Sequence, residues 1–251
     1  MRIPGLVSIT FRNKTPGEIC SLMERAKLRA VEWGGDVHVP PKGGKANEVK
    51  KMSADSGIEI CSYGSYFRLG DGVDAYRYAL DEALSLGAPV IRIWAGRKGS
   101  ALLTDEERGK IVDELLKVSE ISERSGVQTT LEYHGGTLTD DRNSVKRLIK
   151  ETESAVCKPE FYWQPRWDWT EEERLSALSD VSNRLSHIHV FTWRHDGSEI
   201  TRLPLSEGEG MWKKVIQERT EGCYLIEFVK GDADESLLSD ALTLNGWLEN
   251  A

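Results

Sequence analysis

Short β-rich runs recur along the chain, separated by stretches whose apolar residues follow the 3.6-residue period of amphipathic helices. The runs are "GLVSITF" (5–11), "AVEWGG" (30–35), "IEICSYG" (58–64), "PVIRIWAG" (89–96), "VQTTLEYH" (127–134), "EFYWQP" (160–165), "LSHIHVFTW" (185–193) and "CYLIEFV" (223–229). Three of the intervening stretches open with a capping box, in which a Thr side chain and a Glu three residues later satisfy each other's backbone amides. These are Thr15–Glu18, with Pro16 at the first helical position, Thr104–Glu107 and Thr170–Glu173. After Thr104, Ile111, Leu115 and Val118 fall at helical spacing with Val112 and Leu116 beside them, and Gly126 stands where a C-cap ends the helix. A last helix is expected near 233–249, with Leu237, Leu238, Ala241 and Leu242 on one face.

Eight strand-then-helix units in 251 residues predict an α/β fold, a single (β/α)8 barrel spanning 1–251. An open doubly wound sheet is the rival. It usually carries a glycine-rich phosphate turn after its first strand, and "RNKTPGE" at that place is no such turn. No long linker or low-complexity segment divides the chain.

Composition adds limits. The chain is 39% hydrophobic and 29% charged, ordinary for a globular enzyme. Its net charge of -8 argues against a nucleic-acid binder, which needs a cationic face. No apolar run approaches the ~20 residues of a membrane span. The start, "MRIPGLVSIT", reads as a first strand and lacks the features of a signal peptide. Cys20, Cys61, Cys157 and Cys223 form no C-x-x-C pair and no metal-like cluster, so the expectation is buried, reduced thiols in a cytoplasmic protein.

Chemistry enters with "TTLEYHGG" (129–136). In a parallel barrel Leu131 and Tyr133 would pack on helices, while Thr130, Glu132 and His134 would point inward and up toward the mouth, where barrel active sites lie. The five histidines all fall near predicted C-terminal strand ends: His38, His134, His187, His189 and His195. Glu227 interrupts an apolar strand, a costly place for a carboxylate unless it is paired, with Arg92 for instance, or meets a cation. Strands five to eight thus offer Glu132, Gln164, His189 and Glu227. These oxygen and imidazole donors suit Mn, Mg, Co or Zn as one divalent metal ion.

The order and spacing of "LEYHGGTLTD", "LSHIHVF", "PLSEGEGMWKKVI" and "LIEF" resemble the xylose isomerase-like TIM-barrel superfamily, the sugar-phosphate isomerase/epimerase group with tagatose epimerase-like and hydroxypyruvate isomerase-like enzymes. The resemblance implies one divalent metal held by Glu, Asp, His and Glu on strands five to eight. Glu132, His189 and Glu227 match three of these. Gln164 stands where an Asp is expected, which removes one ligand charge and implies a more loosely held metal. Phe191–Thr192 stands where the family often shows Lys-Asp.

The resulting expectation is an isomerase or epimerase of a small sugar, sugar phosphate or hydroxy-ketone, with an enediolate formed by proton transfer next to a carbonyl. Glu132 and Glu227, on strands far apart, would serve as acid and base, the roles the resemblance implies. His38, His134 and His187 are candidates for substrate hydroxyls, and Arg92 and Arg166 for an anionic group. Trp94, with Trp33, Trp163 and Trp193, could wall off the carbon face of a sugar. Partners would be small molecules, with no nucleic acid and no membrane; a homo-oligomer stays open. The alternatives are a non-catalytic barrel binding a sugar-like ligand with a weakened metal site, and an abasic-site endonuclease-like phosphodiesterase.

Overall fold

The computed structural model describes residues 1–197 and 199–250. Its elements run β1 (Arg2–Val7), α1 (Pro16–Ala26), β2 (Ala30–Gly34), α2 (Ala46–Asp55), β3 (Glu59–Arg68), α3 (Val73–Leu86), β4 (Val90–Trp94), α4 (Asp105–Arg124), β5 (Gln128–Glu132) and α5 (Arg142–Glu151). There follow β6 (Glu160–Trp163), α6 (Glu171–Val181), β7 (Leu185–Val190), β8 (Thr192–Asp196), β9 (Glu199–Leu203), α7 (Glu209–Glu218), β10 (Gly222–Ile226) and α8 (Asp234–Glu249). Eight strands pair in parallel in the closed order β1-β10-β7-β6-β5-β4-β3-β2. Contact of β1 with β2 at Gly5↔Ala30 completes the cylinder. This is a single (β/α)8 barrel.

Alternation along each strand builds two layers. Leu6, Val31, Tyr63, Ile91, Leu131, Phe161, Ile188 and Tyr224 join the large core beneath the helices. Val7, Ala30, Cys61, Val90, Tyr162, Cys223 and Leu225 form a smaller cluster inside the barrel. The alternation that buries Leu131 and Tyr133 outward therefore turns Glu132 inward, as the sequence predicts. All three capping boxes form, at Thr15, Thr104 and Thr170.

Four boundaries differ from the sequence reading. Residues 8–11 leave the first strand as a short 3-10 turn. The sixth and last barrel strands stop at Trp163 and Ile226, just before Gln164 and Glu227. The run 185–193 is broken: β7 ends at Val190, and Thr192 begins an antiparallel hairpin, β8–β9, in register Thr192↔Leu203 to Asp196↔Glu199. In α8 the buried face is Leu237, Ala241 and Leu244, while Leu242 is 76% exposed. Among the described residues no helix is long and apolar enough to cross a membrane.

Candidate active site

Seven side chains meet below the C-terminal mouth of the barrel: Arg92, Glu32, Glu132, Trp94, Gln164, His189 and Glu227. Arg92 lies at the centre, 2% exposed. Its Nε donates to Glu32 Oε1 at 2.9 Å and its Nη1 to Glu132 Oε2 at 2.5 Å. Trp94 Nε1 also donates to Glu132 Oε2. Gln164 Nε2 donates to Glu132 Oε1 at 3.0 Å and to the Tyr133 carbonyl at 2.7 Å. Both of those partners only accept, so the amide nitrogen must face them, and the amide oxygen is the one donor atom Gln164 retains. His189 Nδ1 lies 3.5 Å from Glu132 Oε1 and 3.3 Å from Glu227 Oε2, while its Nε2 lies 3.6 Å from Glu32 Oε1. Edge-on contact with Tyr162, 5.0 Å between ring centroids, holds the imidazole in place.

Close packing here depends on Gly64 of β3. A Cβ at that position would fall 2.5 Å from Glu32 Oε1 and 2.7 Å from Arg92 Nη2. Only a glycine lets the guanidinium and its carboxylate share the layer.

The charges are strongly coupled. Burial pushes the Glu32 carboxyl up, but Arg92 and then His189 override it and hold the group at about 2. Burial acts likewise on Glu132, where Arg92 and His189 hold the carboxyl well below its ordinary range. Burial opposes the imidazolium of His189, yet Glu227, Glu132 and Glu32 raise its pKa well above the usual value.

Above this floor opens a cavity of about 560 Å³. Glu132, Gln164, Arg92 and Glu227 reach it from below, and Trp94, His134, Arg166 and Trp193 form its walls. His134 Nδ1 lies 2.8 Å from the Gly135 carbonyl, an acceptor, so that nitrogen carries the proton and Nε2 keeps a lone pair. Its ring leans on Trp94 at 4.9 Å. Gly136, at φ 71°, makes the left-handed turn that ends this segment. Arg166 reaches the cavity but is paired with Asp168, Nε to Oδ1 at 2.9 Å. The β8–β9 hairpin closes one side with Trp193, which stacks on Phe191 at 4.4 Å. Phe228 meets both rings and holds a left-handed backbone, φ 56°, directly after Glu227. So bulky a residue rarely adopts that conformation, and such strain gathers at functional sites. A smaller recess of about 360 Å³ lies on the far side of Phe191 and Trp193 and contains none of the convergent acids.

Several sequence expectations are corrected. Arg92 lines the cavity but is already ion-paired, through Nε and Nη1, and its partners are Glu32 and Glu132 rather than Glu227. His38 is buried away from the cavity, with Nδ1 2.9 Å from Ser8 Oγ. That hydroxyl also accepts from the Gly34 amide, tying the end of β1 to β2. His187 points inward but one inward step below His189, beneath Tyr162, and does not line the cavity. His195 rides the hairpin against Trp167, outside the acid cluster. Trp33 and Trp163 face the helices, donating to Ser53 Oγ and the Arg174 carbonyl. The cysteines do cluster: Cys61 and Cys223 meet His187. Glu32 went unread in the sequence, although it interrupts an apolar strand as Glu227 does. The hairpin carried its own signal in Asp196–Gly197 between alternating residues.

The floor suits a divalent cation on three grounds. Glu227 Oε2 and both ring nitrogens of His189 are buried without a hydrogen-bond partner. From His189 Nδ1, Glu227 Oε2 at 3.3 Å and Glu132 Oε1 at 3.5 Å stand near the roughly 3.0–3.4 Å that separates neighbouring ligands about 2.1 Å from one ion. Glu32, Glu132 and Glu227 outnumber Arg92 by two formal charges once His189 gives up its proton, as a metal-bound imidazole must, and a divalent ion balances that excess.

Known proteins share this architecture. The chain is 25% identical over 146 residues to 3-dehydroshikimate dehydratase of Bacillus anthracis, a match covering 51% of this chain and about half, 51%, of that relative. The crystal structure of the probable 3-DHS dehydratase AsbF of Bacillus anthracis superposes with a TM-score of 0.78 at 18% identity, covering 98% of this chain and 99% of that one. The 3-keto-D-glucoside 4-epimerase YcjR of E. coli superposes with a TM-score of 0.70 at 15% identity over 100% of both chains. At such identities the structures speak to the fold. A family model described as xylose isomerase-like TIM barrel matches residues 20–242, all but the ends of the closed barrel, and the chain therefore belongs to that family.

Proposed function

We propose that the chain is a metal-dependent isomerase or epimerase of a small sugar, sugar phosphate or hydroxy-ketone. The observation that carries this reading is Glu227 Oε2, buried without a hydrogen-bond partner beside His189 on the floor of a cavity of small-molecule size. Glu132, His189 and Glu227 would hold the metal, with the Gln164 oxygen as a fourth donor. When bound, a divalent ion would neutralise negative charge that develops on substrate oxygens during proton abstraction.

The contacts support unequal roles for the two glutamates. Glu132 accepts from Arg92, Trp94 and Gln164. Both Oε2 lone pairs are committed, one on Oε1 is left for a metal, and its basicity is suppressed, so it orients rather than moves protons. Glu227 has an uncommitted oxygen and is the group to remove or return the proton next to the carbonyl. On the cavity wall, His134 Nε2 is a second atom able to carry a proton. An epimerase needs one group that takes the proton and a second, protonated one that returns a proton to the other face, and Glu227 and His134 are the pair this cavity offers. Trp94 and Trp193 present apolar faces to a sugar's carbon skeleton.

Dehydration is the second reading, favoured by the 25% match to a dehydratase. It begins with the same proton abstraction and ends with loss of a β-hydroxyl as water. Incubation of the Mn2+-loaded protein in D2O with ketoses, their phosphates and 3-dehydroshikimate separates the two. Deuterium at the carbon next to the carbonyl supports isomerisation or epimerisation. Net loss of water supports dehydration. Neither event with any compound, in protein shown to bind Mn2+, would leave a ligand-binding barrel.

A further inference from the structure

The opposite end of the barrel carries a second donor cluster. One sulfur each from Cys61 and Cys223 and one ring nitrogen of His187 lie within 4.8 Å of one another. Cys61 is 2% and Cys223 4% exposed, while His187 is half-buried. The three come from β3, β7 and β10, near the start of each strand. Tyr162 packs edge-on against His187 at 5.2 Å and against His189 at 5.0 Å, so it separates this cluster from the acids above.

The tautomer of His187 follows from its partners. Its Nε2 lies 3.4 Å from the Cys61 carbonyl, which only accepts, and its Nδ1 lies 3.4 Å from the Cys223 amide, which only donates. Nε2 therefore carries the proton and Nδ1 the lone pair, and a bound ion would take that lone pair from the long 3.4 Å amide contact. A ring whose second N–H is tied to a backbone carbonyl is the usual arrangement of a metal-bound histidine. The register supports the same end. Pairing of β2 with β3 skips a residue at Cys61, turning it inward with its thiol 3.3 Å from the Val31 carbonyl.

We propose that Cys61, Cys223 and His187 Nδ1 form a binding site for a soft divalent cation of the zinc class at the N-terminal end of the barrel. Two thiolates and one imidazole select zinc over the harder ions suited to carboxylates and amide oxygens. This face of such barrels serves stability, and an ion here would cross-link three strands that do not all neighbour one another.

Cobalt is the probe, because thiolate ligation gives a near-ultraviolet charge-transfer absorption that carboxylate and imidazole ligands do not. The reduced full chain titrated with Co2+ should show this band, and zinc should abolish it. The band should persist in Glu227→Gln and in Cys157→Ser, and vanish in Cys223→Ser and Cys61→Ser. His187→Gln, which leaves both sulfurs in place, should weaken Co2+ binding while the circular dichroism stays unchanged. No charge-transfer band in the reduced wild type overturns the proposal. So does a band that survives in folded Cys223→Ser, or a Cys61–Cys223 disulfide in protein purified without reductant that no reductant renders competent for Co2+.

Discussion

The Nε2 edge of His189 faces Glu32 Oε1 at 3.6 Å, from the side of the ring opposite Glu227. A metal at Nδ1 would leave Nε2–H directed at this carboxylate, which fixes ring orientation and raises ligand basicity. Glu32→Gln should therefore weaken Mn2+ binding by about 10–100-fold, the range for such supporting carboxylates. Titration followed by electron paramagnetic resonance measures this; an unchanged Kd would remove Glu32 from the metal's support.

Glu227→Gln keeps the size of the side chain and deletes its basicity. Turnover should fall by at least about 100-fold, the lower range for a positioned acid–base group, with the circular dichroism unaltered. Full activity in this variant would dismiss Glu227 as the proton carrier.

Gln164→Asp adds a negative charge and removes the N–H groups that hold Glu132 and Tyr133. Metal binding should tighten, because the donor set gains charge. The metal-free variant should melt below wild type, since two carboxylates then face each other. Calorimetric titration and thermal melts read the two effects separately; unchanged affinity would mean that residue 164 is not a ligand.

Arg92→Leu would strand two buried carboxylates, Glu32 and Glu132. Removing one member of a buried ion pair typically costs about 3–5 kcal/mol, and urea unfolding of the metal-free variant should show a loss of that order. Adding Glu32→Gln should recover part of it. A loss within experimental error would contradict the central place of this guanidinium.

Asp240 of α8 is 4% exposed and accepts the Leu205 amide at 2.8 Å. Burial pushes its carboxyl up to about 6, against the lowering effect of that hydrogen bond. With the folded pKa raised from 3.8 to about 6, the group's favourable contribution is complete below 3.8 and is lost as pH rises through about 6. Asp240→Asn keeps an oxygen for Leu205 and removes the buried charge. The variant should match wild type near pH 3.5 and exceed it at pH 7 by at most about 3 kcal/mol. Thermal melts at both pH values test the divergence; parallel curves would refute it.

The ring of barrel elements was legible because its signals are local. Thr15, Thr104 and Thr170 cap their helices with the glutamates three residues on. Period-two alternation at Leu131, Glu132 and Tyr133 places each side chain in its layer. Glu132, Gln164, His189 and Glu227 could be collected from strand ends for the same reason. His38 and His187 were misplaced because nearness to a strand end does not say how far up the barrel axis a side chain sits. The hairpin was absorbed into one long strand because "HVFTW" is apolar across the break at Phe191.

The eight barrel strands, their order along the chain and the inward phase of Glu132 are properties of local pattern, and the sequence alone determined them. Pairings across the barrel depend on how strands stagger around the cylinder. Arg92 choosing Glu32 and Glu132 over Glu227 is such a pairing, as is the meeting of Cys61 with Cys223 and His187. Residues far apart in the chain become neighbours only when register, bulge and closure are set together, and no local period encodes that sum.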